Sequence, residues 1–504
     1  MKPHSRLPRS FWLLLLAGLA LRCLALNQPL VDAHLIRQCQ TAAATKSMIE
    51  QPGFPLSAKV AWLGDLDAHF ALEFPLYNYL VIALHGITGL LDVSGKLCTI
   101  LLWAASFACL QPIWRRFLDS SQTFWANLLF TISPLGVFYG QAFMPEMLVQ
   151  FLAFAFVLLM IRYDENPTLS RWAACAAVGF VGLLVKLPEI AHLYVILGML
   201  VFFRAGWKGL VQPRHLVAAV LTAAGLKCWG NYRDGIDAAY LANLSSSDSV
   251  RIFIGTFESR FHFKPWATIA AYLGFFVVPG PAVLSTAFGL WIFLRERCQK
   301  LLGFWLISLV VFYTLWFGNA ATSQSYYNLP AMAPICALFG LGTAALVARC
   351  RVQRWRNLAV VTGILLAVLP AIPVWKYLFT QDRQILAAAQ WVRGNTQPKD
   401  VIVFRPNHRW DMVDYELNPV MAYCADRPTF VWTRNTPERY RQVALEHARY
   451  ALITLPTPPP GGLQGRIASF RGVSSLALEP TDWLSSNGFR LLTEESGFQV
   501  YKKD

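Results

Sequence analysis

Apolar runs of bilayer-crossing length recur along this chain from Phe11 to Leu378, and each is closed by a short polar or basic patch. They fall at 11–26, 97–114, 122–139, 147–161, 172–186, 190–203, 215–229, 276–294, 301–317, 329–347 and 358–378. The pattern predicts a mainly α protein, a polytopic transmembrane helical bundle of about eleven spans. A further apolar run at 74–91, FPLYNYLVIALHGITGLL, carries Pro75, Asn78 and His85 and reads as an amphipathic or re-entrant helix that does not cross. Near Thr380 the spacing shortens. DVIVFRPN, RYALITLPT and GFQVYKKD read as strands, QILAAAQWVRG as a helix and PTPPPGG as a turn. Two domains are therefore expected: a membrane domain over 1–380, and a small C-terminal soluble α/β domain over 381–504.

Composition agrees with this division: of 504 residues, 55% are hydrophobic and 14% charged, which does not describe a soluble enzyme. The first run follows Lys2, Arg6 and Arg9 and shows no small-residue cleavage site, so it is expected to stay as an anchor. The net charge of +15 comes mainly from short clusters between apolar runs, a topology signal rather than a nucleic-acid footprint, and no nucleic-acid partner is expected. The ten cysteines show no CxxC spacing and sit mostly inside apolar runs, as core residues do.

The basic clusters orient the chain. Lys2/Arg6/Arg9, Arg115/Arg116, Arg162/Arg171, Arg204/Lys208/Arg214, Arg295/Arg297/Lys300 and Arg349/Arg351/Arg354/Arg356 should all be cytoplasmic. Even numbers of crossings then separate successive clusters. The extracytoplasmic side receives the first loop 27–96, the turn at Glu146, the Lys186–Glu189 turn, the basic loop 230–275, the segment 318–328 and the tail. Chemistry is expected on that side.

Two carboxylates fall there. Asp32 opens VDAHLIRQCQTA, and a helix beginning near it places Ile36, Cys39 and Ala43 on one stripe and Arg37, Gln40 and Thr41 on another. Asp32 is either an N-cap or a general base at the membrane surface; in the second case Arg37 would lie near a phosphate and His34 would contact substrate or face headgroups. Glu146 follows Pro145 at a span start, where it either complements a helix N-terminus or joins Asp32 in one site. Asp65, Asp67 and His69 in GDLDAHF have the period-two spacing of an extended loop that binds a divalent cation, or are ordinary solvated residues.

Four segments, EFPLYNYL from Glu73, SPLGVFYGQAFMPE from Ser133, LLVKLPE from Leu183 and SQSYYNLPAMAP from Ser323, resemble in that order segments of bacterial polytopic glycosyltransferases. These enzymes belong to the C-type superfamily and are related to protein O-mannosyltransferases and the lipid A aminoarabinose transferase. The resemblance covers residues 10–350, with weaker echoes such as NPVMAYCADRP in the tail. It implies a multi-pass protein of the inner (plasma) membrane with an extracytoplasmic active site and a polyprenyl-phosphate sugar donor. By the same resemblance Asp32 and Glu146 match the acidic residues of the first loop and of the segment after the third span, and Glu73 lies in a matching segment. Lys186 matches a span-end lysine that suits a donor phosphate, though it could equally snorkel, and Tyr326 and Tyr327 match a tyrosine pair. The chain departs from the pattern at Gln141, where members often carry Arg, and at Gln324-Ser325, where they carry His-Asp.

A physical argument supports the donor class separately. Nucleotide sugars are multiply charged and made in the cytoplasm, so an outward-facing transferase needs a lipid-carried donor. The expected reaction is inverting sugar transfer from a polyprenyl phosphate to a lipid, polysaccharide or protein acceptor, with a possible divalent metal cofactor. A transporter or flippase of a lipid-linked or hydrophobic solute is the competing class, and it would show ionisable residues buried in mid-span.

Overall fold

A computed structural model describes residues 8–51, 53, 55–71, 73–240, 254–296, 299–318, 325–406, 418–432, 438–455 and 482–504. Helices fall on every predicted apolar run, several of them broken. The run at 122–139 divides into Ser120–Ile132 and Pro134–Tyr139 at Ser133, whose extended ψ and following proline end the first helix. The last run divides into Gln353–Val368 and Ala371–Leu378 before Pro370. Among the described residues, five helical segments are long and apolar enough to cross a membrane. They become six if Phe263–Val277 and Ala282–Glu296, bent by 110°, count as one. The 74–91 run forms a helix of 13 residues, Leu76–Thr88, ended by Gly89 in the left-handed conformation.

Many large apolar side chains lie bare on the outer surface of the bundle, among them Leu13, Phe203, Leu221, Leu284, Val310 and Leu358. An apolar exterior on this scale suits contact with lipid. Inside, the Ala282–Glu296 and Met332–Ala348 helices approach so closely that a Cβ on Gly289 or Gly342 would overlap backbone of the other helix. Small residues permit such contact where water supplies no hydrophobic drive between helices.

Arg22, in the last turn of the Arg9–Cys23 helix, is fully buried. Its guanidinium donates to the carbonyls of Gly18, Thr131 and Gly136 and lies 3.6 Å from the centroid of the Trp103 ring. The break at Ser133 leaves the Thr131 carbonyl without its helical partner, and Arg22 satisfies it, a structural use of a buried cation.

The tail forms a five-stranded mixed sheet in the order Thr429–Val431, Ile402–Arg405, Tyr450–Thr454, Phe498–Lys503, Phe489–Glu495. The first three strands are parallel, and the last two run antiparallel to their neighbours. The strands expected in DVIVFRPN and RYALITLPT are found as Ile402–Arg405 and Tyr450–Thr454, and the helix as Arg383–Asn395; GFQVYKKD supplies Phe498–Lys503. The PTPPPGG turn lies outside the described residues. Ile402, Phe404 and Leu452 on one sheet face join the core that includes Ile385 and Ala388, while Val403, Ala451 and Ile453 pack with Phe430 and Leu484 on the other.

Tail and first loop are joined. The Asp382 amide donates to the Val31 carbonyl, the Ala33 amide to the Leu378 carbonyl, and the Thr429 amide to the Ala61 carbonyl. The tail therefore packs against the segment that carries Asp32.

Candidate active site

Asp32 lies between the Arg9–Cys23 and Leu35–Glu50 helices and is 2% exposed. It does not cap the second helix: His34 holds the N-cap position, with no side-chain cap bond. The Asp32 carboxylate instead accepts a hydrogen bond from Gln38 Nε2 at 2.5 Å, while Gln38 Oε1 accepts from the Phe143 amide at 3.1 Å. One buried amide thus ties the Asp32 carboxylate to the segment that leads into Glu146. The other carboxylate oxygen, Oδ2, is buried with no hydrogen-bond partner among the described residues. Burial pushes the Asp32 carboxyl up to about 6; the Lys96 ammonium and the Gln38 bond pull the other way.

The two stripes expected on the 35–50 helix are not an apolar and a wet face, since Gln40 and Thr41 are buried along with Cys39. The helix is enclosed by the tail and by the Leu76–Thr88 helix, so its polar side chains bond inward. Arg37 pairs with Glu73 and donates to Gln40 Oε1 at 3.2 Å, and Asn78 Nδ2 donates to Thr45 Oγ1 at 2.8 Å.

Glu146 begins the Glu146–Glu165 helix, as its position after Pro145 predicts, and is buried. Lys186 ends the Leu169–Val185 helix and does not snorkel: its Nζ donates to Glu146 Oε2 at 2.6 Å and lies 2.8 Å from Glu189 Oε1. The same ammonium sits 4.3 Å and 4.7 Å from the ring centroids of Tyr326 and Tyr327. Two carboxylates around one ammonium leave the triad with a formal excess of one negative charge, and Glu146 Oε1 has no partner among the described residues. An anionic donor phosphate at Lys186 would compete with these two carboxylates.

His34 completes the enclosure. Its ring lies 5.6 Å from that of Tyr326 and 5.5 Å from that of Tyr139, and its Nε2 is 3.4 Å from Ser325 Oγ, which bonds the Tyr139 hydroxyl at 2.9 Å. The first loop, the 139–146 segment, the 186–189 turn and the 325–327 segment therefore meet. They bring Asp32, His34, Glu146, Lys186, Tyr326 and Tyr327 into one neighbourhood, with Arg37 on the adjoining helix and Glu73 in the loop before the Leu76–Thr88 helix.

Asp65, Asp67 and His69 are not brought together. Asp65 faces His447 Nδ1 at 2.9 Å, Asp67 pairs with Lys59 at 2.9 Å, and His69 Nδ1 is 3.4 Å from Ser57 Oγ. Among the described residues no group of three or more His, Cys, Asp or Glu side chains is placed to hold a metal ion.

Sequence reasoning missed Gln38, Glu189 and Lys96. Buried Lys96 donates to the carbonyls of Ala25 and Gln28 at 2.8 and 2.5 Å, fixing the turn before Asp32. A lysine next to the apolar run at 97–114 was the available signal. Glu189 sits in the quoted LLVKLPE segment. Gln38 carried no signal, because an amide in a helix is ordinary. Gln141, at the departure from the family pattern, is fully buried with both amide atoms unpartnered among the described residues.

Residues 73–227 match the sequence profile of the family described as dolichyl-phosphate-mannose-protein mannosyltransferase. The fold is similar to that of ArnT from Cupriavidus metallidurans bound to undecaprenyl phosphate. The TM-score is 0.57 at 12% identity, over 98% of each chain. The same enzyme in the apo state gives a TM-score of 0.57 at 13% identity, over 97% of each chain. The archaeal oligosaccharyltransferase AglB from Archaeoglobus fulgidus, in complex with an inhibitory peptide and a dolichol-phosphate, gives 0.50 at 13% identity, over 88% of this chain and 69% of that one. No curated protein matches in sequence. The resemblance to C-type glycosyltransferases read from the four motifs thus extends to the fold of nearly the whole chain.

Proposed function

We propose that this chain, with the C-type glycosyltransferase fold as premise, is a membrane glycosyltransferase. It moves a sugar from a polyprenyl-phosphate donor to an acceptor at the extracytoplasmic face of the inner membrane. The observation that carries the reading is the single buried neighbourhood of Asp32, Glu146, Lys186 and the tyrosine pair, joined through Gln38. The sequence match to lipid-phosphate-dependent mannosyltransferases and the solved relative bound to undecaprenyl phosphate support the donor class.

Asp32 takes the proton of the acceptor hydroxyl. Its pKa of about 6 leaves it mostly ionised at neutral pH yet more basic than an ordinary carboxylate, which suits a general base. The hydroxyl oxygen attacks the anomeric carbon, the bond to the phosphate oxygen breaks, and the lipid phosphate departs with the electron pair. One displacement inverts the configuration. Arg37 and Lys186 stabilise charge on the leaving phosphate, each exchanging a carboxylate contact for it, while Glu146 orients the acceptor and Tyr326 and Tyr327 line the cavity. His34 and Glu73 hold Tyr326 and Arg37 in place. Asp65, Asp67 and His69 remain the sequence's candidates for a divalent cation, but their separate partners give them no shared task in this reaction.

The test is incubation of the purified protein with radiolabelled polyprenyl-phosphate sugars and a cell-envelope extract. Label passing to an envelope component, with the opposite anomeric configuration, is the expected result. Movement of intact donor across a vesicle bilayer without sugar transfer would instead establish a flippase.

A further inference from the structure

Cys39 lies on the Leu35–Glu50 helix of the first loop, and Cys424 on the Val420–Ala425 helix of the tail. Positions 39, 43 and 46 form one stripe of the first helix, and each meets the tail. Ala43 packs in a cluster with Ala422, Lys46 pairs with Asp426, and buried Cys39, whose thiol donates to the Leu30 carbonyl at 3.6 Å, lies in the core against which Tyr423 and Cys424 pack. The contact is fixed on its far side as well, since the Tyr423 hydroxyl donates to Asp92 at 2.5 Å. Two independent parts of the chain are thus held in register about one pair of sulfur atoms.

We propose that Cys39 and Cys424 are a redox pair whose disulfide staples the tail to the loop that carries Asp32. The basic-cluster topology puts both residues on the extracytoplasmic side, where thiols are exposed to oxidants and disulfides persist. The cysteine spacing carries no trace of the pair, because the partners come from opposite ends of the chain.

The chemistry is thiol–disulfide exchange with an incoming protein disulfide or oxidised glutathione. Cys424 is half-buried and Cys39 fully buried, with burial raising the Cys39 thiol well above its ordinary range, so Cys424 reacts first. Its thiolate attacks the oxidant disulfide and expels one thiol. The Cys39 thiolate then attacks the Cys424 sulfur of the mixed disulfide and expels the second. The protein pair loses two electrons and two protons, and the oxidant is reduced to two thiols. The product fixes the segment seven residues after Asp32 to the tail, and it limits the freedom of the unfolded chain across most of its length.

The test needs no turnover and is independent of the proposed transferase activity. The full-length protein in detergent is equilibrated with oxidised glutathione, denatured in excess iodoacetamide, digested without reductant and analysed by mass spectrometry. The expected result is alkylation of eight of the ten cysteines and one cross-linked peptide pair containing Cys39 and Cys424, two hydrogens lighter than the separate peptides. Dithiothreitol before alkylation should restore all ten, and either C39A or C424S should abolish the cross-link. Full alkylation after oxidation, or a cross-link that survives in C424S, would overturn the assignment.

Discussion

At the residue scale the account turns on a carboxyl kept apart from water. Because burial raises Asp32, the acceptor-activating form is lost as pH falls through about 6, so kcat/KM should rise with pH across that value and then level off. The same shift has a stability consequence. The folded chain binds a proton at Asp32 between the ordinary value of 3.8 and about 6 that the unfolded chain has already released, so stability falls as pH rises through this window. The loss is about 3 kcal/mol at neutral pH, at 1.36 kcal/mol per pH unit. D32N should therefore unfold at a higher temperature than wild type near neutral pH and lose that advantage at about pH 4. Differential scanning calorimetry in detergent checks this. Gln38 favours the ionised form, so Q38L should move the kinetic limb to higher pH; an unmoved limb would remove Gln38 from the site. Asp32 and Glu146 were legible because an acidic residue at the edge of an apolar run stands out. Gln38 was not, because its importance lies in two bonds to distant chain segments.

Elements position these residues through breaks as much as through regular helices. The breaks at Ser133 and Lys186 are where polar groups gather, and a proline just after each, Pro134 and Pro188, marks them in the sequence. Broken runs also explain why helices on all eleven predicted stretches yield five or six segments long enough to cross on their own. The triad at the Lys186 break was half legible: lysine and glutamates could be seen, but not that one ammonium serves two carboxylates. K186M would leave those carboxylates facing each other in a buried site, and should lower unfolding stability by about 3 to 5 kcal/mol as well as activity. K186M combined with E189Q should recover part of the stability, read from the same melts. At the crossing of the Ala282–Glu296 and Met332–Ala348 helices, G342L should prevent the close approach and give aggregated or poorly expressed protein in size-exclusion chromatography.

At the scale of the whole molecule, apolar runs and basic clusters fixed the class and sidedness expected of the chain, and strand-like spacing foresaw three strands of the tail sheet. The remaining two, Thr429–Val431 and Phe489–Glu495, were not foreseen; the first is three residues long and the second has a mostly exposed pattern. The docking of the tail on the first loop was equally invisible, because its backbone bonds, ion pair and buried contacts join residues hundreds of positions apart in the chain. Topology is checked by single cysteines in a cysteine-free background: K46C and K399C should react with an impermeant maleimide added outside intact cells, and R354C should not. The central claim is tested most directly by initial rates of sugar transfer from a polyprenyl-phosphate donor by wild type and D32N, at matched expression and donor occupancy. The account predicts a fall of at least about a hundredfold in D32N, the scale of a lost general base, with donor binding retained. Wild-type turnover by D32N would contradict it.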